Sequence, residues 1–300
     1  MGLIKNFFVK SGRTASIKNF FFQATPQVNN DAVSINPARK RGLIKHFLFK
    51  GKSIKNFILY GDITIKFVDM RGKNVIITGA NSGVGLMMAR ILSLFGANVI
   101  LACRNRSKGE SGSSTITSQH RELLNGNGEE NFVELIESVP RSDIVDNPRV
   151  EFMHLDLRSK ESIESFVKEY TEKYGELHVL INNAAISQVP ALWKTDQHAE
   201  LQTGVNYLAP FYLTNLLVPN LTLKNGQKSR VINITCRRYD HHLNSDNFDV
   251  DFRCQYKKYR HKQAYAQSKL YLLIFSNELN RRLNHLGIYS NAVDPGGEFF

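Results

Sequence analysis

The stretch Thr78-Gly-Ala-Asn-Ser-Gly-Val-Gly85 decides the fold class of this chain. It follows a short β-branched run, Val75-Ile-Ile-Thr78, and opens into the helix-like stretch Leu86 to Phe95. A strand, a glycine turn and a helix start in this order form a cradle for a pyrophosphate, because the backbone can approach the anion closely and unpaired N–H groups point at it. Glycines also make ordinary tight turns, but the flanking strand and helix favour nucleotide binding.

Short β-branched runs alternate with longer amphipathic stretches beyond this turn. The later runs are Asn98–Ala102, Val150–Leu155, Val179–Ile181 and Arg230–Thr235. Apolar residues at helical spacing fill Ser159 to Tyr174 and Gln263 to Leu286, and Gly287 then suits a helix stop. This alternation predicts an α/β protein with a doubly wound, Rossmann-like parallel sheet that is covered on both faces.

Residues 1–71 differ in composition from residues 72–300, which we expect to form the dinucleotide-binding domain. The chain has a net charge of +12, and the first 71 residues contain 13 Lys and Arg against three Asp. This basic, Phe-rich arm also contains an internal repeat, since Gly2–Lys10 resembles Gly42–Lys50. Its composition suits an organelle-targeting or membrane-surface segment, and a poorly ordered extension is the alternative.

Residues 106–148 interrupt the regular pattern with Ser, Gly, Asn and Glu. The predicted second and third strands flank this stretch, which is longer than the usual connection between a helix and a strand. We therefore expect a surface insertion here, with disorder as one of its forms.

Arg104 stands at the end of the predicted second strand, 19 residues beyond Gly85. A site that prefers NAD(H) would place an Asp or Glu there for the ribose 2′-hydroxyl, and none is present in Ala102–Asn105. A guanidinium at this point suits a 2′-phosphate, so the sequence favours NADP(H) over NAD(H) as the cofactor. A solvated arginine at a strand end is the alternative.

Tyr265 and Lys269 are four residues apart in Tyr265-Ala-Gln-Ser-Lys269. On a helix, this spacing places the phenol and the ammonium on one face. A nearby cation favours phenolate and lowers the pKa of tyrosine toward the working range of an acid/base catalyst. About one such pair is expected by chance in this chain, so its value comes from its position downstream of the glycine turn.

Five motifs together resemble the short-chain dehydrogenase/reductase family, over roughly residues 72–297. They are Thr78–Gly85, Asn182-Asn-Ala-Ala185, Asn206 within Val205–Phe211, Tyr265–Lys269 and Asp294-Pro-Gly296. Within the family the chain looks most like the retinol dehydrogenase and WW-domain oxidoreductase branch. That resemblance implies hydride transfer between nicotinamide and a lipophilic alcohol or carbonyl compound, retinoid- or steroid-like.

The resemblance also implies residue roles. Tyr265 would exchange a proton with the substrate oxygen, Lys269 would lower its pKa and bind the nicotinamide ribose, and Asn206 would relay the proton. Together with the glycine turn, it assigns to the cofactor Gly79, Asn81, Ser82, Gly83, Val84, Gly85, Arg104, Asn105, Asp156, Leu157, Asn183, Ala184, Lys269, Pro295 and Gly296.

Two departures from the family pattern bear on activity. Cys236 stands where the family usually has a serine that hydrogen-bonds the substrate carbonyl, and a thiol is a weak donor. Thr235 has a hydroxyl but sits one residue away, on the opposite face of a strand. The sequence also stops at Phe300, where relatives continue into a covering helix and a last edge strand. We therefore expect a sheet without that strand and a pocket without one wall.

Three functions stay open at this point. The first is an NADP(H)-dependent oxidoreductase, the second a nucleotide-binding pseudoenzyme with weak or no turnover, and the third a binder of membranes or nucleic acid through the arm. Nucleic acid is the least favoured partner, since no binding motif accompanies the charge. We expect no metal site, an intracellular protein in the cytoplasm, the mitochondrion or at a membrane surface, and we leave a homodimer open.

Overall fold

A parallel six-stranded sheet lies at the centre of the described part of the chain. The computed structural model describes residues 67–128, 139–224, 226–236 and 259–295. The strands are β1 (Asn74–Thr78), β2 (Asn98–Cys103), β3 (Arg149–His154), β4 (Val179–Asn182), β5 (Ser229–Ile234) and β6 (Ile288–Val293). Each strand predicted from the sequence is present to within one residue at either end, which confirms the α/β prediction.

Helices connect these strands. They are α1 (Gly83–Leu94), α2 (Arg106–Leu124), α3 (Lys160–Tyr174), α4 (Leu201–Thr203), α5 (Ala209–Leu221) and α6 (His261–Leu283). A π-helical segment, Gly204–Leu208, joins α4 to α5, and short 3-10 turns lie at Arg141–Asp143 and Asn284–Leu286. The amphipathic stretches predicted as helices correspond to α3, which Ser159 caps, and to α6.

The strand order is β3-β2-β1-β4-β5-β6, so the chain reverses its direction of winding between β1 and β4. All neighbouring strands are parallel. In open α/β sheets, ligands bind outside the carboxyl ends of the strands at such a switch point. The carboxyl ends of β1 and β4 carry Thr78 and Asn182, and the glycine turn follows the first of them.

Both faces of the sheet are buried under helices. Alternate side chains of a strand point to opposite faces, and β1 shows this, because Ile76 packs in one core while Val75 and Ile77 pack in the other. The core around Ile76 receives apolar side chains from α3, α5 and α6, and the other core receives them from α1 and α2. Strands buried on both faces explain the unbroken apolar runs in the sequence.

Helix α2 replaces part of the surface insertion that the sequence predicted for residues 106–148. Residues Arg106–Leu124 form a regular crossover helix between β2 and β3, not a loop. Its apolar content is low because small residues let it lie close to the sheet: Gly109 faces the ring of Phe152, and Ser113 donates a hydrogen bond to Val150 O at 2.8 Å. Little apolar side chain is needed to fill so narrow a gap. Residues 129–138 lie outside the described part of the chain.

The basic arm lies almost wholly outside the described residues, which begin at Phe67. The Phe67 ring packs edge-on against that of Phe95, with ring centroids 5.2 Å apart. Met70 N donates a hydrogen bond to Phe95 O at 2.9 Å. These contacts attach the chain to the end of α1 just before β1 begins. None of the helices in the described ranges is long and apolar enough to cross a membrane.

Substituting Gly109 with alanine should destabilise the protein. A Cβ built on Gly109 would lie 2.1 Å from Cδ2 of Phe152, so the ring or the helix must shift, at a cost of about 1–3 kcal/mol. Gly112 on the same helix is the matched control, because a Cβ there would meet its nearest neighbour at 3.5 Å. Gly112→Ala should stabilise by up to about 1 kcal/mol through helix propensity. Urea unfolding of both variants measures the difference, and equal effects would contradict this packing.

Candidate active site and cofactor site

The glycine turn after β1 leaves no room for side chains at two positions. Gly79 has a φ of 66°, and a Cβ on it would lie 2.9 Å from Ala184 Cα. A Cβ on Gly85 would lie 2.6 Å from Asn183 Nδ2 and 2.8 Å from Gly79 O. Glycine is therefore required at both positions, since any side chain would push the turn away from the segment after β4.

The start of helix α1 faces the open side of this turn. Ser82 is extended and exposed, and its side chain makes no capping hydrogen bond to α1. The first-turn N–H groups are thus not satisfied by a capping side chain, which is the condition for binding an anion at a helix N-terminus. Asn81, Gly83 and Val84 complete the turn and are exposed or half-buried. The cradle predicted from the sequence therefore fits a dinucleotide pyrophosphate by shape and by its donors.

Thr78 braces the turn against β4. Its Oγ1 accepts hydrogen bonds from the backbone N–H groups of Asn183 and Ala184, both at 3.0 Å. Asn183 in turn donates from Nδ2 to Thr78 O at 3.0 Å and to Gly79 O at 3.4 Å. The side chain of Asn183, which we expected at the cofactor, thus supports the turn from behind. Thr78 belongs to the glycine motif, but nothing in the sequence indicates this partner.

Arg104 and Asn105 follow β2, and both are exposed. Asn105 Oδ1 accepts a hydrogen bond from Lys108 N at 2.9 Å, so its side chain caps α2. Arg104 is close enough to Asp156 to lower the pKa of that carboxyl. Its guanidinium stands at the strand end where a cofactor ribose would lie in this fold.

Asp156 is held by an arginine close by in the chain. Burial acts to raise the pKa of its carboxyl, but the hydrogen bonds from Arg158 outweigh burial and keep the pKa below the ordinary value. The nearest of these contacts, from Arg158 Nη2 to Asp156 Oδ2, is 2.6 Å. The carboxylate is therefore ionised and already paired. Leu157, the next predicted cofactor residue, packs its side chain in the core under α3.

Lys269 and Tyr265 lie together on α6, and both are buried. Lys269 Nζ is 5.8 Å from the centroid of the Tyr265 ring and donates a hydrogen bond to Ile234 O at 2.8 Å. Burial lowers the pKa of Lys269 to about 8, while Cys236 nearby acts to raise it. The structure thus brings the predicted pair to the carboxyl end of β5, beside Cys236.

Asn206 lies in the π-helical segment, where it is fully buried. Its Oδ1 accepts from Ile186 N at 2.8 Å, and its Nδ2 donates to Ile186 O at 2.9 Å and to Ser268 Oγ at 3.0 Å. Ser268 donates to Tyr265 O at 2.7 Å. The amide therefore links the segment after β4 to the helix that carries Tyr265. π-Helical turns are frequent at functional sites, but the sequence gives no sign of this one.

Thr235 and Cys236 have different surroundings. Thr235 is buried, and its Oγ1 donates to Val293 O on β6 at 3.4 Å. Cys236 is half-buried and interacts electrostatically with Lys269. The group at the expected carbonyl-binding position is thus a thiol. Pro295 lies just beyond β6, and Gly296 lies outside the described residues.

A separate buried chain of polar side chains, which the sequence did not indicate, surrounds the start of α6. Glu200 and Gln202 are fully buried, and both contact Tyr259.

Within the described ranges no group of three or more His, Cys, Asp or Glu side chains could hold a metal ion. The arrangement of Tyr265 and Lys269 near the glycine turn could support proton transfer beside a dinucleotide.

Comparison with known proteins gives a consistent result. The short chain dehydrogenase family matches residues 118–238. Retinol dehydrogenase 13 of Mus musculus is 37% identical over 243 residues, which are 81% of this chain and 63% of that protein. Retinol dehydrogenase 12 of Mus musculus is 35% identical over 244 residues, which are 81% of this chain and 67% of that protein.

A solved structure of an uncharacterized protein from Mycobacterium paratuberculosis is also similar. It is 32% identical with a TM-score of 0.58, and the match covers 76% of this chain and 69% of that one. The chain spans between 62% and 64% of the length of retinol dehydrogenases 13 and 14 of Homo sapiens and of retinol dehydrogenase 13 of Mus musculus.

Lys269→Met should change how stability depends on pH. The folded-state pKa of about 8 is below the ordinary 10.5, so the folded chain disfavours the ammonium. This penalty is fully present below pH 8 and disappears as the pH rises to 10.5. The free energy of unfolding of the wild type should therefore rise relative to Lys269→Met by roughly 2–3 kcal/mol between pH 7 and pH 10. Urea unfolding at several pH values measures this. Lys168→Met, at an exposed position, is the control. The prediction would be contradicted if the difference in free energy of unfolding between the wild type and Lys269→Met were the same at pH 7 and pH 10.

Proposed function

The chain belongs to the short-chain dehydrogenase/reductase family, and from this premise we propose that it is an NADP(H)-dependent oxidoreductase acting on lipophilic alcohols or carbonyl compounds. The observation that carries the proposal is the meeting of Tyr265 and Lys269 with the end of β5, on the same sheet edge as the glycine turn. When bound, the nicotinamide supplies or accepts the hydride. Retinoid- and steroid-like compounds are the substrate class.

Tyr265 holds the proton that the substrate oxygen gains or loses. Its phenol is buried next to Lys269, and a cation at this distance favours the phenolate form that an acid/base catalyst must reach. Since burial lowers the pKa of Lys269 to about 8, its ammonium is largely retained at pH 7 and titrates just above that pH. We therefore expect turnover to depend on pH in this range.

Asn206 occupies the relay position behind this pair. Both hydrogens of its amide are donated, to Ile186 O and Ser268 Oγ, while its Oδ1 accepts a single N–H and keeps one acceptor site. This remaining acceptor site is the feature that a proton relay from Tyr265 through Asn206 would use. The side chain also keeps α6 at a set distance from the segment after β4.

The choice between NADP(H) and NAD(H) rests on Arg104. Residues 102–105 at the end of β2 include no Asp or Glu to accept a ribose 2′-hydroxyl, and Asp156, whose pKa Arg104 lowers, is already paired with Arg158. Arg104 is exposed. Its guanidinium can give a phosphate two parallel N–H donors.

A nucleotide-binding protein with little turnover is the second candidate, and Cys236 is the observation that favours it. A thiol donates a weak hydrogen bond, so it would stabilise developing negative charge on a substrate oxygen poorly. The cofactor cradle is independent of Cys236, so cofactor binding would survive. Membrane-surface contact through the arm, a location inside the cell and a homodimer are further proposals on which the activity does not depend.

The activity is tested by following NADPH oxidation with all-trans-retinal, a steroid ketone and a series of aliphatic aldehydes. Tyr265→Phe should lower kcat by at least about a hundredfold, because it removes the proton donor. Tyr289→Phe, at a half-buried position on β6, should leave kcat unchanged. Cofactor binding without oxidation of NADPH by any substrate would favour the second candidate, and no cofactor binding would refute both.

NADPH should bind at least tenfold more tightly than NADH. Arg104→Ala should remove most of this preference, because a charge-assisted hydrogen bond contributes about 1.5–3 kcal/mol. Arg106→Ala is the matched control: that arginine is also exposed but pairs with Glu110 at 3.1 Å. Fluorescence titration with both cofactors measures the affinities, and equal affinities in the unmodified protein would contradict the assignment.

Cys236→Ser should raise kcat. A hydroxyl is a stronger donor to an oxyanion than a thiol, and a single such donor is worth about a hundredfold in turnover. Thr235→Val should leave kcat unchanged, since Thr235 donates to Val293 O on β6. A loss of activity in Thr235→Val would show that Thr235 has taken over the serine's role.

A further inference from the structure

Glu200 is a buried carboxylate that accepts three hydrogen bonds from described residues. It precedes α4 and accepts hydrogen bonds from Gln202 N at 2.9 Å, Thr203 N at 2.7 Å and the Tyr259 hydroxyl at 3.0 Å. A shorter Asp, Asn or Ser is the usual residue before a helix. The longer glutamate caps the helix and still reaches Tyr259, which lies 59 residues further along the chain.

Gln202 makes the second connection to the same region. Its Nε2 donates to Tyr259 Oη at 2.8 Å and to His261 O at 2.9 Å. A carbonyl can only accept, so the amide nitrogen must face His261, and Gln202 Oε1 is left buried without a donor. This cost is tolerated because the two bonds from Nε2 hold the start of α6.

The Tyr259 hydroxyl completes a directed chain. Its single hydrogen goes to Glu200 Oε1, and its oxygen accepts from Gln202 Nε2. Helix α6 begins at His261, and Arg260 before it offers no side-chain cap. The carbonyl of His261 is also the one to which Tyr265 N donates in a regular α-helix. Gln202 therefore bonds the same peptide group that fixes the backbone of Tyr265.

We propose that Glu200, Gln202 and Tyr259 form a positioning triad that sets the start of α6, and so the place of the Tyr265 phenol relative to Asn206. The triad joins the helix start that leads to Asn206 to the helix start that leads to Tyr265 and Lys269. Asn206 and Ser268 make the second link between the same elements. Two links prevent α6 from pivoting about either of them. The catalytic consequence rests on the proposed function, whereas the effect on the helix does not.

The chemistry of the triad predicts that a nearly isosteric change disrupts it. Glu200→Gln replaces one carboxylate oxygen with an NH₂ group. Because each oxygen accepts from a backbone N–H among the described residues, either orientation of the new amide places N–H against N–H. Tyr259→Phe is the milder variant, since it removes one hydroxyl without altering the cap of α4.

The test uses the full chain and three measurements on Glu200→Gln and Tyr259→Phe. Amide hydrogen exchange at residues 265–269 should become about tenfold faster or more, with exchange at 75–78 in β1 unchanged, since only a local opening is affected. The Kd for NADPH should rise by a smaller factor than that by which kcat falls, because the glycine turn and Arg104 are untouched and only Lys269 among the proposed cofactor residues moves. With an active substrate, kcat should fall about tenfold or more, as displaced catalytic groups do, and its pH dependence should shift.

A second tyrosine–glutamate pair supplies the control. The Tyr212 hydroxyl donates to Glu164 on the surface, between α5 and α3. Tyr212→Phe and Glu164→Gln should change none of the three measurements. If the unmodified chain turns over no substrate, the proposed function fails, but the exchange rates still decide about the triad. The proposal would be overturned if amide exchange at residues 265–269 were as slow in Tyr259→Phe and Glu200→Gln as in the wild type. A uniform rise in exchange across all the described strands and helices would also overturn it.

Discussion

The close approach between the end of β1 and the segment after β4 is the constraint on which the rest of the site depends. Thr78 Oγ1 accepts two backbone N–H groups from that segment, and Gly79 lies so near Ala184 that a Cβ would meet its Cα at 2.9 Å. These contacts fill the space between the end of β1 and the segment after β4. The glycine turn therefore leaves the sheet on the side away from that segment. Helix α1 begins there, with its N–H groups facing the open side, where an anion can bind. The open turn at the switch point of the sheet, which we propose as the dinucleotide site, follows from this contact.

The strands and most helices were predictable because they obey simple periodicities. A strand buried on both faces is an unbroken apolar run, and β1 and β2 are such runs. Helix α2 was not, because it fits against β3 through Gly109 and Ser113 instead of an apolar stripe. The apolar side chain in this contact comes from β3, where Phe152 fills the space that Gly109 leaves. A pattern read along one segment cannot report what the opposite surface supplies.

The candidate site divides in the same way. Tyr265 and Lys269 could be predicted, because a spacing of four residues places them on one helix face whatever else the chain does. The partner of Lys269, a backbone carbonyl of residue 234, could not, since its contact depends on how β5 and α6 pack. The π-helical turn at Asn206 and the role of Glu200 are of the same kind. Each joins residues about 20 to 60 positions apart through donor and acceptor geometry that no local motif encodes.

A buried polar ladder gives the reason why β5 and α6 meet in one arrangement only. Asn182 and Asn233 are register partners on β4 and β5, joined by a hydrogen bond of 2.9 Å. Asn233 then donates to Ser290 on β6, whose hydroxyl is 2.9 Å from that of Ser276 on α6. A slip of one residue in any of these strands would turn the polar side chains to the opposite face and leave their partners buried and unpaired. Apolar contacts alone would tolerate such a slip more easily, because they have no direction. The ladder therefore brings the carboxyl end of β5 to Lys269 on α6, where Ile234 O accepts a hydrogen bond from Nζ. A charged group can be kept in the interior only where its acceptor is placed this reliably.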